Sequence, residues 1–478
     1  MNSSPDFVPE IAVIGHPNEG KSSVLSTLAE DDSVRISSFP GETTVCRGYP
    51  VRIDGREVLR FTDTPGFQHP SRLLSLLSRG EGLSEQRLHD LLAQVGADPE
   101  LREDYELLQP VARGAGLIFV ADGSRPLRSV DTMEMEVLRL LNRPRMAVLN
   151  CKGENTRHLE SWRDELNKHF NLVRLFNAHQ ASYRERIELL RALGAIDQGW
   201  QGVISEVVRA FETDWAMRLQ EVATHIIEML RTTLTHSITI SWKPPASEES
   251  VKNKLFTRFT TDIGDLERET QEKIRALFKH NIFNYRLPPH SILREELFST
   301  RTWQLLGLGR RQLATVGGLG GAAAGAVFDV AALGHSLGAF TALGGAIGGI
   351  SGWLTPERLP RAALLGMEIS ATKMQMGPVR DISLLFVLLN RALLFTRHTS
   401  NWAHGRRDYP TAEDASPQTS DSTATSSFST SQLRICRDYF TALQKDDPGK
   451  LHTTEQAMHN LMFTELSAIT MDSGGNNG

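Results

Sequence analysis

With 478 residues, 40% hydrophobic and 23% charged, the chain is too long for one ordinary core and has enough apolar surface for two or three packed domains. A formal net charge of −5 gives no global attraction to nucleic acid, so no DNA partner is expected; the scattered Cys46, Cys151 and Cys436 form neither a disulfide framework nor a metal-ligand spacing. The opening MNSSPDFVPE has no basic segment followed by an apolar one, which argues against a secretory signal and for a cytoplasmic start.

The first 200 or so residues alternate strand-like apolar runs with helical patterns. EIAVI (10–14) predicts a strand, followed by a helix from Lys21. CRGYPVRI and EVLRFTDTPG predict two strands joined at Asp54-Gly55, a strong hairpin signal. GLIFVAD (116–122), RMAVLN (145–150) and NLVRLFNA (171–178) predict three more. This alternation implies an α/β domain over 8–200, with a mostly parallel sheet and helices on both faces. A helical insertion at about 68–112 exceeds what a minimal domain of that kind needs.

Residues 201–409 predict a mainly α-helical domain with a proline break at SWKPPAS (241–247). Within it, 312–354 is dense in glycine and alanine and has no charged residue except Asp329. Residues 410–432, rich in serine and threonine, predict a disordered loop, and 433–470 a C-terminal helix.

The chemistry begins at GHPNEGKSS (15–23), which places G-x-x-x-x-G-K-S between a strand and a helix. Gly15 and Gly20 let backbone N–H groups wrap closely around phosphates, and the next helix's N-terminus favours the anion. Asn18, Glu19 and Ser23 complete the phosphate cradle; Lys21 sets a point charge against the β- and γ-phosphates and Ser22 offers a hydroxyl to Mg²⁺. Downstream, DTPG (63–66) ends a strand. Asp63 there can hold Mg²⁺ through water, and the Gly66 N–H can sense the γ-phosphate. Between the two stretches, FPGETTV offers Thr43 as a further magnesium ligand on loop closure, with Thr44 one register away. The fold class expected is therefore a P-loop NTPase domain followed by helices.

Over residues 8–200 the chain resembles GTPases of the Era/TrmE type, in the translation-factor class, where G-x-P-N-x-G-K-S is the usual wording of the phosphate loop. The whole chain is similar to bacterial proteins joining such a domain to a C-terminal domain of unknown function. The resemblance implies slow GTP hydrolysis by a molecular switch. The position that often holds a water-orienting glutamine is Phe67 here, and Gln68 is displaced by one residue. In this group a hydrophobic residue there often accompanies catalysis by K⁺, held partly by the loop asparagine, which corresponds to Asn18. A cation bridging phosphate oxygens would neutralise developing charge. The alternative is that Asn18 only orders its loop.

Guanine recognition is less clear. In place of N-K-x-D the chain has VLNCKGEN, which allows two registers. Asn150 can hold the asparagine place, leaving Cys151 and Gly153 at the lysine and aspartate. Otherwise Lys152 and Glu154 supply cation and acid. FNAHQ (176–180) falls where a base-contacting loop belongs and retains Ala178, whose N–H would meet the guanine O6. Losing the carboxylate weakens discrimination against adenine.

The glycine-rich segment has Gly321 and Gly325, then Gly344, Gly348 and Gly352, at fourfold spacing. Arg310 and Arg311 precede it, and Arg358 and Arg361 follow. A membrane-associated hairpin with both ends at the inner face of the cell membrane fits this pattern, as does a tightly packed helical pair in a soluble domain. GHSLG (334–338) matches a nucleophile elbow at Ser336, but its surroundings lack the required strand, and we read it as a chance match. The basic HGRRD (404–408) weakly favours phosphate contact. Partners left open are GTP or GDP, a membrane, the ribosome or RNA, and a second copy of the chain.

Overall fold

The computed structural model describes residues 8–16, 19–29, 44–53, 55–78, 84–151, 157–177, 182–243, 248–278, 292–299, 302, 306, 365–370, 372–400, 424–445 and 447–471. Six N-terminal strands form one sheet: β1 (Glu10–Ile14), β2 (Arg47–Ile53), β3 (Arg56–Asp63), β4 (Gly116–Asp122), β5 (Arg145–Asn150) and β6 (Leu172–Phe176). Their order is β2-β3-β1-β4-β5-β6, with every neighbouring pair parallel except β2 and β3. Central strands are apolar along nearly their whole length because both faces are covered.

Successive side chains serve opposite layers, as the strand period requires. Ile11, Val13, Ile118, Val120, Met146 and Val148 face α1 (Lys21–Ala29), α7 (Tyr183–Ile196) and α8 (Gln201–Thr235). Ala12, Ile14, Leu117, Phe119, Ala147 and Leu149 face the other layer. That layer comprises α2 (Pro70–Leu77), α3 (Glu85–Gly96), α4 (Arg102–Ala112), α5 (Ser129–Leu140) and α6 (Leu159–His169). The expected α/β architecture with helices on both faces is present, and α2, α3 and α4 make up the insertion before β4.

The first layer has no boundary with the C-terminal half. One continuous apolar cluster runs from the sheet through Trp200 and Ile204 into α8, α9 (Glu248–Leu277), α10 (Ser383–Ser400), α11 (Thr430–Lys445) and α12 (Pro448–Met471). Tyr183 at the start of α7 stacks on Trp215 of α8 at 4.1 Å, and Trp215 meets Phe278 edge-on at 5.2 Å. Trp200 lies against the α-carbon of Gly116, where an added Cβ would come within 1.6 Å of the indole. Gly116→Ala is therefore expected to destabilise the protein by about 3 kcal/mol, the upper end for overpacking, in a chemical-denaturation measurement. An unchanged midpoint would show that Trp200 moves aside without cost.

α10 is buried along almost its full length, the Asn390 amide and the Arg391 guanidinium included. Asn390 donates to the Leu306 carbonyl at 2.7 Å and to Thr425 Oγ1 at 2.9 Å. Arg391 pairs with Glu267 at 2.5 Å and donates to the Glu295 carbonyl at 3.1 Å. These partners offset desolvation that an unpaired buried group would bear.

The C-terminal half departs from expectation in three places. A small antiparallel sheet, β7 (Ile238–Ser241), β8 (Glu368–Ile369) and β9 (Lys373–Met376) in the order β7-β9-β8, sits where only helices were expected. Its first strand ends at Ser241, where the proline break begins. The segment 410–432 is not a loop throughout: residues 424–427 form a 3-10 turn and α11 already begins at Thr430. Thr425 and Phe428 are buried there, and the Ser429 hydroxyl accepts from the Gln432 N–H while Gln432 accepts from the Ser429 N–H, a reciprocal cap. Third, the single helix expected over 433–470 is two, because Pro448 opens a new helix and Asp447 caps it by accepting from the Lys450 N–H at 3.2 Å. Among the described residues no helix is long and apolar enough to cross a membrane. The glycine-rich segment 312–354, Ser336 and HGRRD at 404–408 lie outside the described residues.

Candidate functional site

The β1 strand ends at Ile14, and the chain turns on Gly15. Gly15 has φ +151°, and a Cβ there would stand 2.3 Å from the Val120 carbonyl oxygen, so the neighbouring strand β4 excludes any side chain. Gly20, at φ +97°, makes the second turn that feeds α1. The buried Lys21 side chain folds back along this loop, donating to the Gly15 carbonyl at 3.1 Å and the His16 carbonyl at 3.2 Å. Its ammonium thus stays within the arc of backbone that the two glycines shape.

Ser22, the next residue on α1, donates from Oγ to Asp63 Oδ2 at 3.1 Å. Residues far apart in sequence meet because β1 and β3 are parallel neighbours that end at the same edge of the sheet. Thr64 fixes the join by donating to the Val13 carbonyl at 2.8 Å. A hydroxyl beside a buried carboxylate at the mouth of a phosphate loop suits Mg²⁺, which takes one or two protein oxygens and otherwise keeps water and phosphate ligands. Among the described residues no cluster of three His, Cys, Asp or Glu side chains offers a self-sufficient metal cage. Gly66 and Phe67 are buried behind Asp63, and the Phe67 ring joins the apolar layer of α2–α6.

Glu19 is the surprise of the loop. A carboxylate there would repel phosphate, yet its side chain turns away from the loop mouth and is buried. It accepts from the Asp122 N–H at the end of β4 and from Arg125, whose Nε lies 2.8 Å away. Arg125 also donates to Asp131 at 2.7 Å and stacks over the Trp162 ring at 5.0 Å. Arg128 adds a second cation to Asp131 at 3.1 Å. Although burial works against charge on Asp131, the two guanidiniums hold its carboxyl below the usual range. Burial also opposes the charge on Arg125, but its two acids raise its pKa above the ordinary arginine value.

Two further contacts hold the loop. His16 Nδ1 lies 2.8 Å from Oε1 of the fully buried Glu134, whose carboxyl burial pushes above the usual carboxylate range against the opposing pull of His16. At the far edge, the buried Asn150 donates from Nδ2 to the Glu19 carbonyl at 3.1 Å, tying the end of β5 to the phosphate loop. Ser23 is buried in the first turn of α1. Thus Gly15, Glu19, Gly20, Lys21, Ser22, Ser23, Asp63, Gly66 and Asn150 gather at one end of the sheet. Asn18, Thr43, Lys152, Gly153, Glu154 and Ala178 lie outside the described residues; Thr44 is described and exposed.

Sequence reasoning missed Arg125, Arg128, Asp131 and Glu134. The one available signal was the acid inside the phosphate loop, which demands a cation; nothing local says that it comes from a residue 106 positions away.

Comparison with known proteins matches two family models to the chain, and the division between them falls inside the six-stranded domain. Residues 10–151 match the family model described as 50S ribosome-binding GTPase, and residues 163–467 match the one described as Domain of unknown function (DUF3482). GTPase Era of Nitrosomonas eutropha is 33% identical over 112 residues, 23% of this chain and 38% of that protein. GTPase Der of Thermotoga petrophila is 22% identical over 297 residues, covering 60% of this chain and 59% of that protein. The chain therefore spans less than two thirds of the length of these relatives. Among solved structures, Era of Aquifex aeolicus bound to GDP and AlF4⁻ covers 57% of this chain and 90% of its own, with TM-score 0.27 and 15% identity.

Proposed function

The chain belongs to the DUF3482 family and carries a P-loop GTPase domain at its N-terminal end, and from these two facts we propose that it binds GTP and hydrolyses it slowly as a molecular switch. The observation that carries this reading is the Ser22–Asp63 contact at 3.1 Å, set at the mouth of a loop already shaped by Gly15, Gly20 and Lys21. Backbone amides of the loop receive the phosphates, and the Lys21 ammonium moves from its two carbonyls to the β- and γ-phosphates. Ser22, Asp63 and Thr43 are the residues that would hold Mg²⁺, which when bound would neutralise phosphate charge. Gly66 presents its N–H to the γ-phosphate. Phe67 is buried and apolar, so it cannot orient water.

K⁺ held partly by Asn18 is the proposed substitute, since it supplies positive charge where the phosphate oxygens gain negative charge. Phosphate release from GTP is expected to be about tenfold faster in KCl than in NaCl at matched ionic strength, and equal rates would remove the potassium role. No GTP-dependent release in either salt would contradict the hydrolytic reading itself.

The bond from Asn150 to the Glu19 carbonyl favours the register in which Asn150 is the asparagine of the base-recognition sequence and Gly153 stands at the acid's place. Guanine preference then rests on backbone contacts such as the Ala178 N–H, and discrimination against adenine is weaker than a carboxylate gives. We propose the helical half as the effector. Its destination follows the description of the matched GTPase model, the 50S ribosome. A membrane destination would rest on 312–354 alone.

A further inference from the structure

We propose that helix α4 of the insertion clamps both nucleotide-sensing segments, with Asp104 as the positioning residue that sets Gly66 for the γ-phosphate; this rests on the nucleotide reading above. Asp104 is fully buried in the first turn of α4, and its carboxylate points at the chain just beyond DTPG. It accepts from the Gln68 N–H at 3.1 Å, the His69 N–H at 3.2 Å and His69 Nδ1 at 3.1 Å. A buried carboxylate held by two backbone N–H groups and an imidazole fixes a chain more firmly than an exposed pair does.

Gly66 sits between anchors on both sides. Thr64 is bonded to β1, Phe67 is packed into the apolar layer with α2–α6, and residues 68 and 69 are held by Asp104. A chain pinned two residues before and after a glycine cannot move that amide far unless one anchor moves too. The anchor that is not itself tied to a strand by hydrogen bonds is α4, which packs on the sheet through Leu107, Leu108 and Val111. The adjoining Glu103 receives the Gln68 side chain at 2.9 Å, which holds the displaced glutamine on the insertion. Arg72 of α2 spans to Asp98 at 2.6 Å and Glu100 at 2.7 Å, just before α4 begins.

The same helix also meets the other sensing segment. Cys46, two residues past Thr44 and at the entrance to β2, donates from Sγ to the Glu106 carbonyl at 3.1 Å. Burial, then the Glu106 charge, push the thiol up to about 12, so it stays a donor at neutral pH. One helix therefore holds the exits of both segments expected to close on GTP. The insertion then does more than cover the sheet: it registers whether a γ-phosphate has drawn Gly66 in.

Asp104→Asn turns one accepting oxygen into a donor facing donors. For the purified full chain, turnover of GTP is expected to fall about tenfold and affinity for a non-hydrolysable GTP analogue likewise, with GDP affinity within about twofold of wild type. A residue with a merely structural role would lower the melting temperature and leave the ratio of the two affinities unchanged; that result overturns the proposal. Hydrogen–deuterium exchange on the wild-type protein gives a second reading that needs no variant. Residues 64–78 and 102–112 should change protection together between the GDP and analogue complexes, and independent change overturns the clamp. A wild-type protein that binds neither nucleotide contradicts the proposed function, and this inference with it.

Discussion

Lys21→Ala is expected to abolish GTP turnover and to weaken nucleotide affinity by at least about a hundredfold, the scale of truncating one partner of a desolvated charge contact. Two losses combine. The ammonium no longer faces the phosphates, and the Gly15 and His16 carbonyls lose the donor that holds the loop in its arc. Lys21→Arg separates them, because it keeps the charge but spreads it over a planar group too wide for the same arc. Fluorescent-nucleotide titration should place Arg between wild type and Ala. Wild-type affinity in Lys21→Ala would remove the loop from the site altogether.

The second large effect is expected at Arg125, which touches no phosphate. Arg125→Ala removes the guanidinium in direct contact with the buried Glu19 carboxylate and leaves only Arg128 at 3.9 Å, and breaking a buried pair from one side costs about 3–5 kcal/mol. Arg125 is 22% exposed, so solvent screens part of this and the lower end applies. The cost falls on the phosphate loop, whose backbone Glu19 carries, and affinity should fall about thirtyfold or more. The double variant Glu19→Gln, Arg125→Ala removes the stranded charge and should recover most of the loss. If the double variant binds no better than Arg125→Ala, the effect comes from the lost stacking on Trp162 and not from charge.

The phosphate-loop edge of the domain is legible in the sequence because its signals are local. The glycines of the loop, Lys21 and Ser22 lie within eight positions, and DTPG ends a strand whose pattern is continuous. The period-two apolar runs likewise gave the sheet and its covered faces. What failed was everything decided at long range. Glu19 looked like a phosphate contact, and only the arrival of Arg125 behind β4 shows how a carboxylate is tolerated there. Nothing local in the sequence sets Asp104 apart from the neighbouring acids of the insertion; its bonds to the Gln68 and His69 amides do.

The C-terminal half shows the same limit. β7 and β9 are separated by 131 residues, Ser241 to Lys373 being the nearest ladder pair, and four-residue strands carry too little pattern to be told from helix ends. The serine-rich run read as disordered because composition alone cannot show that Thr425 fills the hydrogen-bonding side of Asn390. Pro448 is a local signal for a helix start, which divides 433–470 into two helices.

The central claim is that the end of the six-stranded sheet grips the phosphates of a guanine nucleotide. Calorimetric titration of the full chain with GDP, a non-hydrolysable GTP analogue and ADP, all with Mg²⁺, tests it most directly. The account predicts saturable one-to-one binding of both guanine nucleotides, weaker binding of ADP and no binding to Lys21→Ala. No heat from either guanine nucleotide, or equal binding by wild type and Lys21→Ala, would contradict it.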